Sequence, residues 1–291
     1  MRSKHTSLAA VVEMMDSIPC TPSVLPKLQQ SLAGEYVSTQ KLQSIIELDA
    51  GLATSVLRMA NSAYFMGEQK CESITDAILR LGTMALSRLA ATSQAGKWLN
   101  QPVQGYGWEP GDLCRHSLCV AVTAEILSKE YGTASPDIAY TAGLIHDVGK
   151  MALAYANGQL LAEVLKLVPT PHLSWEAAEM EVLGYSSADV TMKMLQRWGF
   201  SHALVEAGAY YPHPSKSSEE YRSLVTTIHA AKSMTITLGY GVGVDGFYFE
   251  VDEKSLHEAG FTEEKLESSV PAILERMDAM ITPEGDIKAL D

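Results

Sequence analysis

Long apolar runs are missing from this sequence. No stretch approaches the roughly eighteen uninterrupted apolar residues that a membrane span requires. Arg2 and Lys4 precede a short apolar stretch from Leu8 to Val12, but Glu13 cuts it off before it could serve as a signal-peptide core. A cytoplasmic protein is the expectation. Cysteine is sparse: Cys20, Cys71, Cys114 and Cys119 match no paired zinc-ligand spacing, and they read as small buried hydrophobes in a reducing compartment. Basic charge is scarce as well, with 22 Lys and Arg against 35 Asp and Glu, a net charge of −13, and no run of basic residues. A phosphate backbone would be repelled overall, which argues against nucleic acid as a partner. Alternation with period two is also rare, which argues against a sheet.

What is present is 291 residues, 46% hydrophobic and 20% charged, the make-up of an ordinary globular chain. A chain this long buries about three quarters of its unfolded surface and needs no disulfide or metal to hold a core. Apolar residues recur at three- and four-residue spacing, so the fold class is all-α. The pattern predicts helices over 24–34, 40–47, 52–64, 73–81 and 84–98, with Pro22 and Pro26 marking the start, Asp49 capping the third and Gly82 separating the last two. Residues 101–111 hold three glycines and two prolines and mark a boundary. Helices then follow over 112–131, from Ser135 (N-cap) and Pro136 to about Tyr155, and over 158–167, 173–182, 186–198, 202–209, 217–238 and 262–280. Phe247, Tyr248 and Phe249 alternate, as a short strand or a surface crossing. The expected division is an N-terminal helical subdomain (1–107), a helical bundle (108–235) sharing a hydrophobic interface with it, and an acidic C-terminal extension (236–291) with a final helix. From Glu250 onward there are four basic and twelve acidic residues. A solvated helix face accounts for that charge.

Three residues are candidates for chemistry: His116, and the pair His146 and Asp147 in Gly-Leu-Ile-His-Asp-Val-Gly-Lys. His116 shares a stripe with Leu113 and Val120, and His146 a face with Ile138, Ala142 and Gly149, so both imidazoles are expected to face inward. Two imidazoles and a carboxylate form a partial shell for a borderline divalent metal, which would activate water for attack on phosphate. Buried histidines held by backbone carbonyls give the same pattern without a metal.

The run from Ala142-Gly143-Leu144 to His146-Asp147-Val148-Gly149-Lys150 is similar to the helix that names the HD superfamily of metal-dependent phosphohydrolases. Ile18-Pro19 and Thr21-Pro22 with Val24 and Leu28, Ile45-Ile46 with Asp49, Leu57 to Phe65 with its Asn61-Ser62-Ala63-Tyr64-Phe65, Ser73-Ile74, Ala77-Ile78 and Leu81-Gly82 resemble the HDOD family, the HD-related output domain of bacterial signalling. The resemblance covers about residues 12–235. It implies an HD-like helical bundle with an N-terminal helical subdomain, and a metal shell of His116, His146, Asp147 and a last aspartate. Lys232 stands where that aspartate belongs. A protonated lysine cannot ligate a cation, but it can pair with Asp147 in its place. Two further histidine positions of the family are filled by the Tyr185-Ser186-Ser187 segment and by Tyr211, with His213 out of register. Gly184-Tyr185 continues with Ser186, so the Gly-Tyr-Pro motif of cyclic-di-GMP phosphodiesterases is absent. Asn61, Ser62 and Tyr64 read as caps on helix-end carbonyls.

Two functions are expected from this. The first is a non-catalytic output or regulatory protein of a signalling pathway, acting through protein partners, with no cofactor and no membrane or nucleic-acid binding. Too little chain precedes Leu25 for a receiver domain, so a phosphorylated partner would be another chain. The alternative is a metal-dependent phosphohydrolase acting on a nucleotide or cyclic dinucleotide. Asp147 and Lys150 would then be its catalytic residues, with manganese, magnesium or iron held weakly by His116, His146 and Asp147.

Overall fold

The computed structural model describes residues 6–16, 24–32, 36–62, 64–65, 70–100, 103, 105–168 and 173–280. Pro19, Cys20, Thr21, Pro22 and Ala63 lie outside these, as do part of the 101–111 boundary and the end of the acidic extension. Helices α1 (Leu8–Asp16), α2 (Leu25–Leu32), α3 (Thr39–Ile46), α4 (Ala50–Ala60) and α5 (Ile74–Leu99) make up the N-terminal part. Then follow α6 (Asp112–Tyr131), α7 (Pro136–Ile145), α8 (Val148–Leu167), α9 (Trp175–Leu183), α10 (Ser187–Arg197), α11 (His202–Tyr210), α12 (Arg222–Thr237), α13 (Glu253–Glu258) and α14 (Glu263–Met280). There is no β-strand among the described residues.

Local chemistry sets many of these limits. Asp49 accepts from the Leu52 N–H at 3.0 Å and caps α4, as its position predicts. Asn61 ends α4: its amide donates to the Leu57 and Cys71 carbonyls, both at 3.0 Å, and its oxygen accepts from the Cys71 N–H at 2.8 Å. The segment after α4 is thereby tied back to the helix end, while Tyr64 is exposed. Gly82, at φ 72° and ψ 173°, bends α5 into two helical stretches. That region of backbone space belongs to glycine. Ser135 and Pro136 start α7, although the Ser135 side chain makes no capping bond.

The structure corrects several expectations. The predicted 136–155 helix is broken at His146 and Asp147, because this pair forms the turn between α7 and α8. Ile138, expected on the inward face with His146, is exposed. The 217–238 helix starts only at Arg222, after a turn. Residues 244–248 wind as a 3-10 turn, because Val244 donates to the Tyr106 carbonyl across the molecule and not to a neighbouring strand. The short helices α1 and α13 were not anticipated from periodicity.

Helix α6 is the axis of the molecule, with Leu113, Cys114 and every residue from His116 to Ser128 buried. It crosses α7 closely, since a Cβ on Gly143 would lie 2.7 Å from the Ala121 Cα. Buried apolar residues from Val11 to Met277 form one continuous core. Arg88 of α5 and Arg276 of α14 both pair with buried Glu125 of α6, the latter at 3.4 Å. Cys71, Cys114 and Cys119 are free and buried, and burial pushes the Cys114 and Cys119 thiols up to about 11. No helix among the described residues is long and apolar enough to cross a membrane.

Candidate functional site: a buried His-Asp-Lys cluster

Four elements meet around Asp147. His116 comes from α6, His146 and Asp147 from the turn between α7 and α8, Lys150 from the first turn of α8, and Lys232 from α12. Asp147 stands at the N-cap position of α8 but caps nothing, so its carboxylate is free to turn inward. The helix start is served instead by Thr191, whose hydroxyl accepts from the Gly149 N–H at 2.9 Å. His116, His146, Asp147, Lys150 and Lys232 are all buried.

The Asp147 carboxylate is fully engaged. Oδ1 accepts from the Tyr211 hydroxyl at 2.6 Å, and Oδ2 accepts from Lys150 Nζ at 2.8 Å and from Lys232 Nζ. Burial alone would raise this carboxyl; the Lys150 and Lys232 ammoniums beside it hold it well below the usual carboxylate range. His146 donates through Nδ1 to the Gly143 carbonyl at 2.6 Å. That leaves Nε2 as the acceptor of the neutral ring, 3.3 Å from Lys232 Nζ and 3.2 Å from Asp147 Oδ2. Lys232 thus bridges imidazole and carboxylate. His116 approaches the Tyr240 carbonyl through Nδ1 at 3.3 Å, while its buried Nε2 lies 3.7 Å from Asp147 Oδ2 without a hydrogen-bond partner. Burial, more than any neighbour, lowers the pKa of both histidines and keeps them neutral.

Lys150 has a second partner that the sequence did not suggest. Asp245, in the 3-10 turn, binds Lys150 Nζ through Oδ2 and accepts from Trp108 Nε1 at 2.8 Å through Oδ1. Burial works against the Lys150 ammonium, and Asp147 and Asp245 more than offset it, raising its pKa. Lys232 is lowered by burial and by Lys150, with Asp147 opposing. Its ammonium also faces the Tyr211 ring, 4.8 Å from the centroid. Asp245 reaches the site because two glycine-rich loops interlock. A Cβ on Gly243 would sit 2.2 Å from Trp108 Nε1, so only glycine lets the loop seat against that indole.

His116, His146, Asp147, Lys150 and Lys232 are therefore brought together. Tyr211, at a family histidine position, serves the carboxylate as a donor. Ser187 borders the same place, but its N–H donates to Glu179 at 2.6 Å. Tyr185 lies apart: its hydroxyl accepts from Asn157 at 3.0 Å, at the kink of α8, and donates to the Thr6 carbonyl. His213 pairs with Glu176 at 2.9 Å. Asp245 and Trp108 were missed; the glycines flanking both loops are the only trace of their contact in the sequence.

The three candidate ligand atoms of His116, His146 and Asp147 lie within 4.8 Å of one another, a spacing a metal ion could span. The unpartnered His116 Nε2 favours such an ion. The rest of the donor set does not fit it. Two ammonium groups already hold Asp147 Oδ2, and two carboxylates balance two ammoniums, so a dication would leave a buried excess of positive charge. A cavity of about 50 Å³ opens beside Lys150, Tyr211, Lys232, Asp245 and Phe249. It has room for a few waters at roughly 10–15 Å³ each, whereas ligand pockets run to about 300 Å³ or more.

Comparison with known proteins agrees with the fold. A protein of Treponema pallidum (strain Nichols), described as uncharacterized, is 25% identical over 238 residues; the match covers 81% of this chain and 45% of that protein. The chain thus spans about half the length of this curated relative. An HDOD domain protein of unknown function from Geobacter sulfurreducens superposes with a TM-score of 0.70 at 21% identity, covering 93% of this chain and 97% of the other. A protein from Marinobacter aquaeolei VT8 proposed to act in signal transduction gives 0.71 at 20% identity, over 94% and 60%. A proposed phosphohydrolase from Shewanella amazonensis SB2B gives 0.64 at 24% identity, over 94% of both chains. The family model of the HDOD domain matches residues 18–214, more than half of the sequence, and the chain belongs to the HDOD domain family.

Proposed function

We propose that this protein is a non-catalytic regulatory member of its family, working through contacts with protein partners in a signalling pathway. The observation that carries this reading is the Lys232 ammonium seated between His146 Nε2 and Asp147 Oδ2. Hydrolysis at an HD-type site needs a cation that acidifies a water and stabilises the leaving oxygen. Here the Lys232 ammonium takes the His146 Nε2 and Asp147 Oδ2 lone pairs, and unlike a metal it cannot acidify a coordinated water. The narrow cavity also disfavours a nucleotide beside the cluster.

One observation favours the alternative, a metal-dependent phosphohydrolase: the orphaned His116 Nε2. The two are separated by elemental analysis of the purified protein, followed by assays with manganese, magnesium or iron on nucleotides, cyclic dinucleotides and an aryl phosphodiester. The regulatory reading expects no copurifying metal and no turnover. Turnover that disappears in Asp147→Ala would overturn it.

A further inference from the structure

A second concave feature lies away from the Asp147 cluster, where the end of α12 meets α13 and α14. It is a groove of about 620 Å³ with Met234, Leu238, Leu256, Phe261, Leu266 and Val270 along its apolar floor. Its origin is the way α14 divides its surface. Ser269, Ile273 and Met277 are buried, and Ser269 donates to Glu130 of α6 at 2.7 Å. Leu266 and Val270, one helical turn apart on the neighbouring stripe, are left half-buried in the groove. Val251 stands exposed on the lip. The rim carries Glu253, Glu263 and Glu267, and no basic residue lines it.

We infer that this groove docks a basic amphipathic helix of a partner protein, with apolar side chains on the floor and Lys or Arg against the glutamate rim. Charge complementarity selects this occupant. Residues 281–291 of the chain itself carry Glu284, Asp286 and Asp291 against one Lys288, and a second copy brings a net charge of −13; both would be repelled by the rim. An apolar floor of this kind accepts the i, i+3, i+4 and i+7 anchors of an amphipathic helix, the mode of helix-in-groove recognition. This inference rests on the reading of the protein as a partner-binding regulator and gives that reading a surface.

The test uses the full chain and a fluorescein-labelled synthetic helix with Leu at i, i+3, i+4 and i+7 and Lys on the flanks, read by anisotropy. The same helix with Glu replacing Lys is the control. The Lys peptide is expected to bind more tightly than the Glu peptide by about tenfold or more, and to weaken with added salt. Glu263→Lys with Glu267→Lys, both at exposed positions, should weaken it about tenfold with at most a small drop in melting temperature, because Glu263 lies in the first turn of α14. Leu266→Asp should abolish binding. No binding by the Lys peptide, equal binding of both peptides, or indifference to the rim variants overturns the inference. So does a concentration-dependent dimer that Leu266→Asp dissolves, which would make the occupant a second copy. Diester turnover in the assays above would sink the non-catalytic reading while leaving these titrations to decide the groove independently.

Discussion

Lys150 and Lys232 share one carboxylate oxygen, and the balance of four buried charges makes each of them hard to remove. Lys232→Ala leaves Asp147 with a weakened set of partners in the interior, and it should lower unfolding free energy by about 3–5 kcal/mol. Chemical denaturation measures this, and a negligible change would count against the bridge. Lys232→Asp is the more telling substitution. It reverses the charge and supplies the carboxylate that the family resemblance expects there, so this variant should melt higher with manganese or iron while the parent does not respond. Glu179 tests a different kind of burial. Lack of solvent raises its carboxyl to about 7 although Tyr106, Trp175 and Ser187 all donate to it. The folded state then holds a proton that the unfolded chain releases above pH 4.5, so this residue makes stability fall as pH rises from about 4.5 to 7 and flatten beyond. The buried neutral histidines act with the opposite sign, losing stability as pH drops below 6.5. Comparing Glu179→Gln with the parent cancels their contribution. The parent should lose about 3 kcal/mol relative to the variant across that window, at about 1.4 kcal/mol per pKa unit. Parallel pH profiles would show the carboxyl to be normal.

The helices show how far pattern reading reaches. Those with a capping residue and an apolar stripe, such as α4 with Asp49 and α6 with its interior face, were legible, because cap chemistry and periodicity act locally. The break at His146 and Asp147 was not. Periodicity runs through it, while the contacts that Asp147 makes at the turn, to Lys150, Tyr211 and Lys232, include two far away in sequence. The same limit explains Asp245. It belongs to the site through a contact with Trp108 across 137 residues, which no local pattern encodes. His116 stood out by its place on an inward helix stripe, whereas Lys232 was legible as a candidate only because family resemblance set it beside Asp147. Gly82 is a local feature with a measurable consequence. Nothing lies within 4 Å of a Cβ added there, so Gly82→Ala tests backbone conformation alone. It should destabilise by about 1–3 kcal/mol, read as a shift in the denaturation midpoint. A neutral result would mean that α5 runs straight through this position.

At the scale of the whole molecule, the core does not divide at the glycine- and proline-rich boundary. Buried apolar residues run through both parts, and Arg88, Glu125 and Arg276 tie α5, α6 and α14 into one ionic group. The shared apolar interface follows from amphipathic spacing, but the ionic ties do not, because they join residues far apart in sequence. Unfolding by denaturant should therefore be a single transition, with tryptophan fluorescence and far-ultraviolet circular dichroism coincident. Two separated transitions would show that the N-terminal helices fold on their own. The Asp245–Lys150 pair also has a bearing on synthesis. A ribosome delivers Lys150 long before Asp245, and Arg276 later still. Until the C-terminal segment emerges, the nascent chain must either keep Lys150 wet or bury it against Asp147 with Asp245 still missing. The C-terminal loop can thus close over Lys150 only after the rest of the cluster has been made, and a chain truncated ahead of it lacks one of the two carboxylates that balance the ammoniums.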